Sequence, residues 1–190
     1  MNLSQTLAPL RRQVVALIPV YEANGKNVTR LYTRQGEIHT LPNPVARVLE
    51  AYLDLWGLKA AVIRRTYADD EPTARISPLA LQAHHTLVPL KARLPYGKSH
   101  HAYGYLESES LQGNGIPTLQ QSLQLTIASF TLEVLSTKRH VAAMRKRAYY
   151  AAQRYLELNP SSANHFEHIR SLSQWVEAQQ ALLQQFPRVA

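Results

Sequence analysis

The sequence predicts an α+β fold: a β-rich N-terminal two-thirds with one inserted helix, then a long basic helix and a C-terminal helix that together form a helical hairpin. Three observations carry this. Short apolar and β-branched runs separated by turn-forming residues fill the first part of the chain. A single stretch near residue 45 switches to helical spacing, and everything after about residue 127 lacks Pro and Gly until Asn159-Pro160. With 190 residues, one main core is expected, divided into a β-rich core over 1–125 and a helical hairpin over 126–190 packed upon it.

Val14 to Tyr21 and Val28 to Thr33 are joined by Glu22-Ala23-Asn24-Gly25-Lys26-Asn27, which reads as a hairpin. The apolar run of the first strand follows Arg11-Arg12, but it is short and contains Pro19, so it is read as a strand rather than a signal peptide. Ile38 to Leu41 adds a third short strand after Gln35-Gly36. Asn43 is placed to cap a helix with Pro44 in its first turn. Val45, Val48, Leu49, Tyr52, Leu53 and Trp56 then recur at helical spacing until Gly57.

Ala60 to Tyr67 reads as a further strand carrying Arg64-Arg65, followed by a solvated loop at Asp69-Asp70-Glu71-Pro72. Pro78, Pro89 and Pro95 argue against a helix between Ile76 and Leu106, where Leu79 to Leu81, Thr86 to Leu90 and Ala102 to Leu106 suit short strands. Gln112-Gly113-Asn114-Gly115 reads as a loop tip and Thr118 to Leu123 as the last strand. One helix is expected from about Ile127 to Leu158, and a second from about Ser162 to Gln185 as its antiparallel partner.

The charge balance narrows the chemistry. Lys and Arg number 21 against 13 Asp and Glu, a net charge of +8, so the surface attracts polyanions such as nucleic acid or acidic lipid. There is no cysteine, which excludes disulfides, thiolate metal sites and cysteine nucleophiles and favours a cytoplasmic address. No run approaches the roughly 20 apolar residues of a membrane span. No nucleophile elbow or Gly-rich phosphate loop is present, so no enzyme is expected. His84-His85 and His100-His101 are adjacent pairs whose side chains diverge on extended backbone, and His165 and His168 lack a third ligand, so neither a metal nor a cofactor is expected.

The strongest local signal is the long helix. Val134, Val141, Met144, Ala148, Ala152 and Tyr155 fall on one arc, the expected buried face. Lys138, Arg139, Arg145, Lys146, Arg147 and Arg154 occupy the remainder, with no Asp or Glu between Glu133 and Glu157. Like charges at helical spacing repel, and phosphates would relieve that repulsion. A solvated face paired with carboxylates elsewhere is the plainer alternative. A second cationic segment, Lys91, Arg93, Lys98, His100 and His101, is interleaved with Pro95, Tyr96 and Tyr103, a mixture that suits a nucleic-acid surface and equally an ordinary sheet edge.

Taken together, Val15 to Arg139 resembles the competence transcription factor ComK family. The resemblance rests on the strand ending near Gly25-Lys26, Gly57 followed by Arg64-Arg65-Thr66, Pro78-Leu79-Ala80-Leu81, Leu87-Val88-Pro89-Leu90, Pro95, Tyr103 to Leu106, Asn114-Gly115, Leu119, Ser122 and Phe130. Leu53 stands where the family has Cys, and the tail after Asn159 differs from the family's short basic tail. The resemblance implies a transcription activator that binds AT-rich promoter DNA, largely from the minor groove, acts as paired or multiple subunits, and switches on DNA-uptake genes. Arg64, Arg65, Lys91, Arg93 and Lys98 would then enter or flank a groove, with His100 and His101 beside them. Lys138, Arg139, Arg145, Lys146 and Arg147 would grip phosphate. The other reading is a basic interaction or adaptor protein whose cationic helix docks an acidic partner or a membrane surface.

Overall fold

The computed structural model describes residues 2–67, 76–97, 100–118 and 122–160. The fold is mixed α+β with antiparallel sheets. Strands β1 (Val14–Tyr21), β2 (Asn27–Thr33) and β3 (Ile38–Leu41) form where the hairpin pattern puts them. They continue through β6 (Tyr103–Glu107) into β5 (His85–Lys91) and β4 (Leu79–Gln82), giving a six-stranded sheet in the order β3-β2-β1-β6-β5-β4. A smaller sheet holds β7 (Leu111–Pro117), β8 (Leu123–Ile127) and β9 (Phe130–Val134) in sequence order.

The large sheet separates two cores. One face carries Val14, Leu17, Leu31, Leu79 and Leu87 against α1 (Leu3–Leu7), α2 (Val45–Asp54) and α3 (Ala60–Tyr67), which contribute Leu7, Val48, Tyr52 and Ile63. The other carries Val15, Ala16, Ile18, Val88, Leu90 and Leu106 against the small sheet and α4 (Lys138–Leu158). A β-bulge between Val14 and Ala16 explains why consecutive Val15 and Ala16 share a face, since one extra residue breaks the period of two. Gly104 lets β6 approach β1, because a Cβ there would sit 2.8 Å from Ile18 Cδ1 and 3.1 Å from the Leu17 carbonyl.

Several expectations change. Ala60 to Tyr67 is helix α3, not a strand: Ile63 faces the core and Arg64 and Arg65 fall in the last turn, where cations meet the negative end of the helix dipole. Asn43 does not cap α2; the residue before the helix is Pro44, and the Asn43 carbonyl instead accepts from the Thr29 hydroxyl at 2.7 Å. The long helix begins at Lys138 rather than near Ile127, because Leu123, Leu125 and Ile127 alternate with exposed polar residues and build β8, and the Thr137 side chain caps α4 by accepting from the His140 amide. Val134 is accordingly buried from β9 and not from a helix. The expected boundary at 125/126 falls inside β8. Gln112 to Gly115 lies within β7, where Gly113 and Gly115 take positive φ at an irregularity in the pairing with β8. The span Thr118 to Leu123 is not a strand as a whole: the Thr118 amide donates to the Ser122 carbonyl at 2.9 Å, joining β7 to β8. The expected helix from Ser162 to Gln185, and with it the helical hairpin, lies outside the described residues, as do the acidic loop from Asp69 to Pro72 and Lys98.

The buried arc of α4 is Val141, Met144, Ala148 and Ala151, with Ala152 and Tyr155 half-buried at its edge. The helix runs back over β5 and β4, and Tyr155 meets Tyr67 of α3 at a ring separation of 5.4 Å beside the β4 edge. Among the described residues no helix is long and apolar enough to cross a membrane.

Candidate nucleic-acid interface

The two cationic segments read from the sequence meet at one end of the large sheet. Strand β1 finishes there at Tyr21, β2 starts at Asn27, and β5, parallel to β1 through β6, finishes at Lys91. The chain leaving the small sheet arrives at the same place: the Leu135 amide donates to the Lys91 carbonyl at 2.6 Å, and the Lys91 amide donates to the Ser136 hydroxyl at 3.2 Å. Those bonds set the start of α4, with exposed Lys138 and Arg139, next to the end of β5.

Around Tyr21 the side chains form a stack. The Arg93 guanidinium lies over the Tyr21 ring at 3.8 Å, and the Tyr96 ring stacks on it at 4.4 Å with 27° between the planes. Arg93 Nη2 donates to Asn27 Oδ1 at 2.6 Å and its Nε to the His101 carbonyl at 3.1 Å. Burial pulls this guanidinium down from its ordinary pKa, partly opposed by Tyr21. The Tyr21 hydroxyl lies 2.8 Å from His100 Nδ1 and accepts from the Tyr96 amide at 3.0 Å. Tyr96 itself is 81% exposed and neighbouring Leu94 is 64% exposed.

The cations along α4 divide into two groups. Arg139, Lys146 and Arg147 lie on its outer surface, with Lys146 5.8 Å from the Tyr150 ring. Arg145 turns toward the small sheet, donating to the Gly113 carbonyl at 2.6 Å, and Arg154 pairs with Glu157 at 3.1 Å. Lys138 and Arg139 pair with no carboxylate among the described residues. The first turn of α4 holds no acidic residue, although that is the end where the helix dipole favours anions. Two cations at the positive pole make a local field that an external anion would relieve.

The remaining candidates fall elsewhere. Arg65 is exposed on α3, whereas Arg64 is half-buried near the Tyr105 hydroxyl; burial raises the Tyr105 pKa and Arg64 opposes it. Lys91, Arg93, His100, His101, Lys138 and Arg139 are thus brought to one end of the sheet, and Arg64 and Arg65 are not part of that group. Tyr21 was missed by the sequence reading; only its aromatic character at a strand end marked it, and its partner Tyr96 is 75 residues away in the chain.

The diverging His84-His85 pair leads to a different polar group. His84 is exposed beside Glu109, while His85 is buried between Tyr52 and Glu107. No group of three or more His, Asp or Glu residues placed to hold a metal occurs among the described residues. Compared with protein-family models, curated proteins and solved structures, the chain matches none.

Proposed function

We propose that this protein is a DNA-binding transcription regulator that grips duplex DNA with the Tyr21 end of the sheet and the outer surface of α4. The observation that carries this reading is the pair of bonds between Lys91 and the Leu135–Ser136 segment, which unites two cationic stretches that are far apart in sequence. Phosphate contact is favoured by the net charge of +8 and by the two cations at the start of α4, which pair with no carboxylate among the described residues. The ComK resemblance adds AT-rich promoter boxes approached from the minor groove, paired or multiple subunits and activation of DNA-uptake genes, and the absence of cysteine favours a cytoplasmic setting.

A mobility-shift titration with AT-rich and GC-rich duplexes at two salt concentrations tests it. Preference for the AT-rich duplex with a steep salt dependence is expected. Replacing Lys138 and Arg139 together by Ala should weaken both duplexes alike and reduce the salt slope by roughly two, since each phosphate contact adds about 0.9. Absence of binding to either duplex at low micromolar protein and low salt would overturn the reading.

A further inference from the structure

Resting on the nucleic-acid reading, we propose that Tyr96 is a stacking platform for an unpaired nucleobase, so that the Tyr21 end binds single-stranded or locally opened DNA as well as duplex. The geometry comes from three tiers. Arg93 covers one face of Tyr21, Tyr96 covers the other, and the far face of the Tyr96 ring opens to solvent. An aromatic ring left this exposed gains little for folding, yet its position is fixed: its own amide donates to the Tyr21 hydroxyl, which also meets His100 Nδ1, and Asn27 and the His101 carbonyl hold Arg93 from below. The ring is therefore preorganised, and a ligand that stacks on it loses little by ordering it.

The surroundings select the ligand. A flat π-surface accepts any base because every base has a π-face, and cations nearby take the backbone that joins successive bases. Lys91, exposed His101 and the Lys138–Arg139 pair at the start of α4 supply those cations at the same end of the sheet. Arg93 over the Tyr21 ring adds a cation–π contact that anchors the stack. A paired base within a duplex presents no free face, so the platform favours a base at an opened step, a strand end or a single strand.

The test compares anisotropy titrations of a fluorescein-labelled oligothymidine and an AT-rich duplex, using the full chain and its Tyr96→Ala, Tyr96→Phe and Tyr96→Trp variants. Tyr96→Ala should lose about tenfold in single-strand affinity, the usual effect of removing one base stack, and distinctly less in duplex affinity, which rests on the cations; Phe and Trp should restore single-strand binding. A strand carrying iododeoxyuridine should photo-cross-link to Tyr96 itself, located by peptide mass spectrometry. If Tyr96→Ala binds the single strand as the parent does and the cross-link falls elsewhere, the platform is wrong and the duplex reading stands. Single-strand binding that depends on Tyr96 with no duplex binding would support the platform and overturn the duplex regulator. Binding of neither nucleic acid overturns both.

Discussion

The two ends of the large sheet hold the same kinds of side chain in opposite states. At the end where β1 starts and β6 finishes, Tyr52, His85, Glu107 and Arg34 form a closed chain: the Tyr52 hydroxyl donates to the Arg11 carbonyl at 2.8 Å and lies 2.7 Å from His85 Nε2, and His85 Nδ1 lies 2.6 Å from Glu107. Arg34 and the Ser110 hydroxyl complete the Glu107 carboxylate. At the other end Tyr21, His100, Arg93 and Tyr96 form an open stack with no carboxylate bonded to it among the described residues. The difference teaches what each is for. A carboxylate that is 1% exposed neutralises the first group from within, so that group stabilises the fold; the second has no such internal anion among the described residues, and under the proposed function nucleic acid would supply it.

Removing the internal carboxylate is the severest way to break that contrast. Glu107→Gln leaves His85 buried without its anionic partner and should lower unfolding free energy by on the order of 3 kcal/mol, read as a shift in the urea midpoint. Arg34, 55% exposed, regains water and contributes less. Acid should act in the same direction. Burial alone would raise the Glu107 pKa, but hydrogen bonds from His85 and Ser110 and the charges of His85 and Arg34 outweigh it and hold the carboxyl below its ordinary range. A carboxylate depressed on folding contributes stability above its unfolded pKa and loses it as pH falls through the folded value. The urea midpoint should therefore decline as pH drops below the usual carboxylate range, and Glu107→Gln should flatten that decline.

Tyr52→Phe tests the same chain one link further in. The buried hydroxyl serves both the Arg11 carbonyl and His85, so its loss leaves one partly buried and one buried polar atom without that bond. A cost of about 1–3 kcal/mol is expected. DNA affinity of the folded Tyr52→Phe protein should match the parent; a loss in the mobility shift would mean that the two ends of the sheet are coupled.

The legibility of the two ends differed for physical reasons. Strands β1 and β3 could be read to their final residues, and the buried face of α2 and most of the buried arc of α4 could be named, because each declares itself by local periodicity. Helix α3 was lost because Val62, Ile63 and Thr66 are β-branched and only Ile63 is buried, too short a pattern to show a helical stripe. The β8–β9 hairpin was hidden by the absence of Pro and Gly; its turn uses Ala128 at positive φ instead. The cations of the candidate interface could be named individually, but their meeting depends on β6 inserting between β1 and β5, which no local pattern announces. The Tyr52–His85–Glu107 chain needed the same nonlocal pairing and left only a diverging histidine pair as its trace.

The smallest expected effect gives the sharpest comparison. Tyr21→Phe deletes a hydroxyl with two partners, as Tyr52→Phe does, and keeps the ring between Arg93 and Tyr96. At the open end, water replaces the lost bonds to His100 and to the Tyr96 amide, so stability should fall by no more than about 1 kcal/mol in the urea midpoint. Binding should respond more than stability, because the hydroxyl fixes the Tyr96 backbone and with it the angle of the exposed ring. Single-strand affinity is expected to drop by about threefold, less than for Tyr96→Ala, in the same anisotropy titration. A destabilisation equal to that of Tyr52→Phe would show that the Tyr21 end is sealed in solution, and its stack would then belong to the core rather than to a ligand.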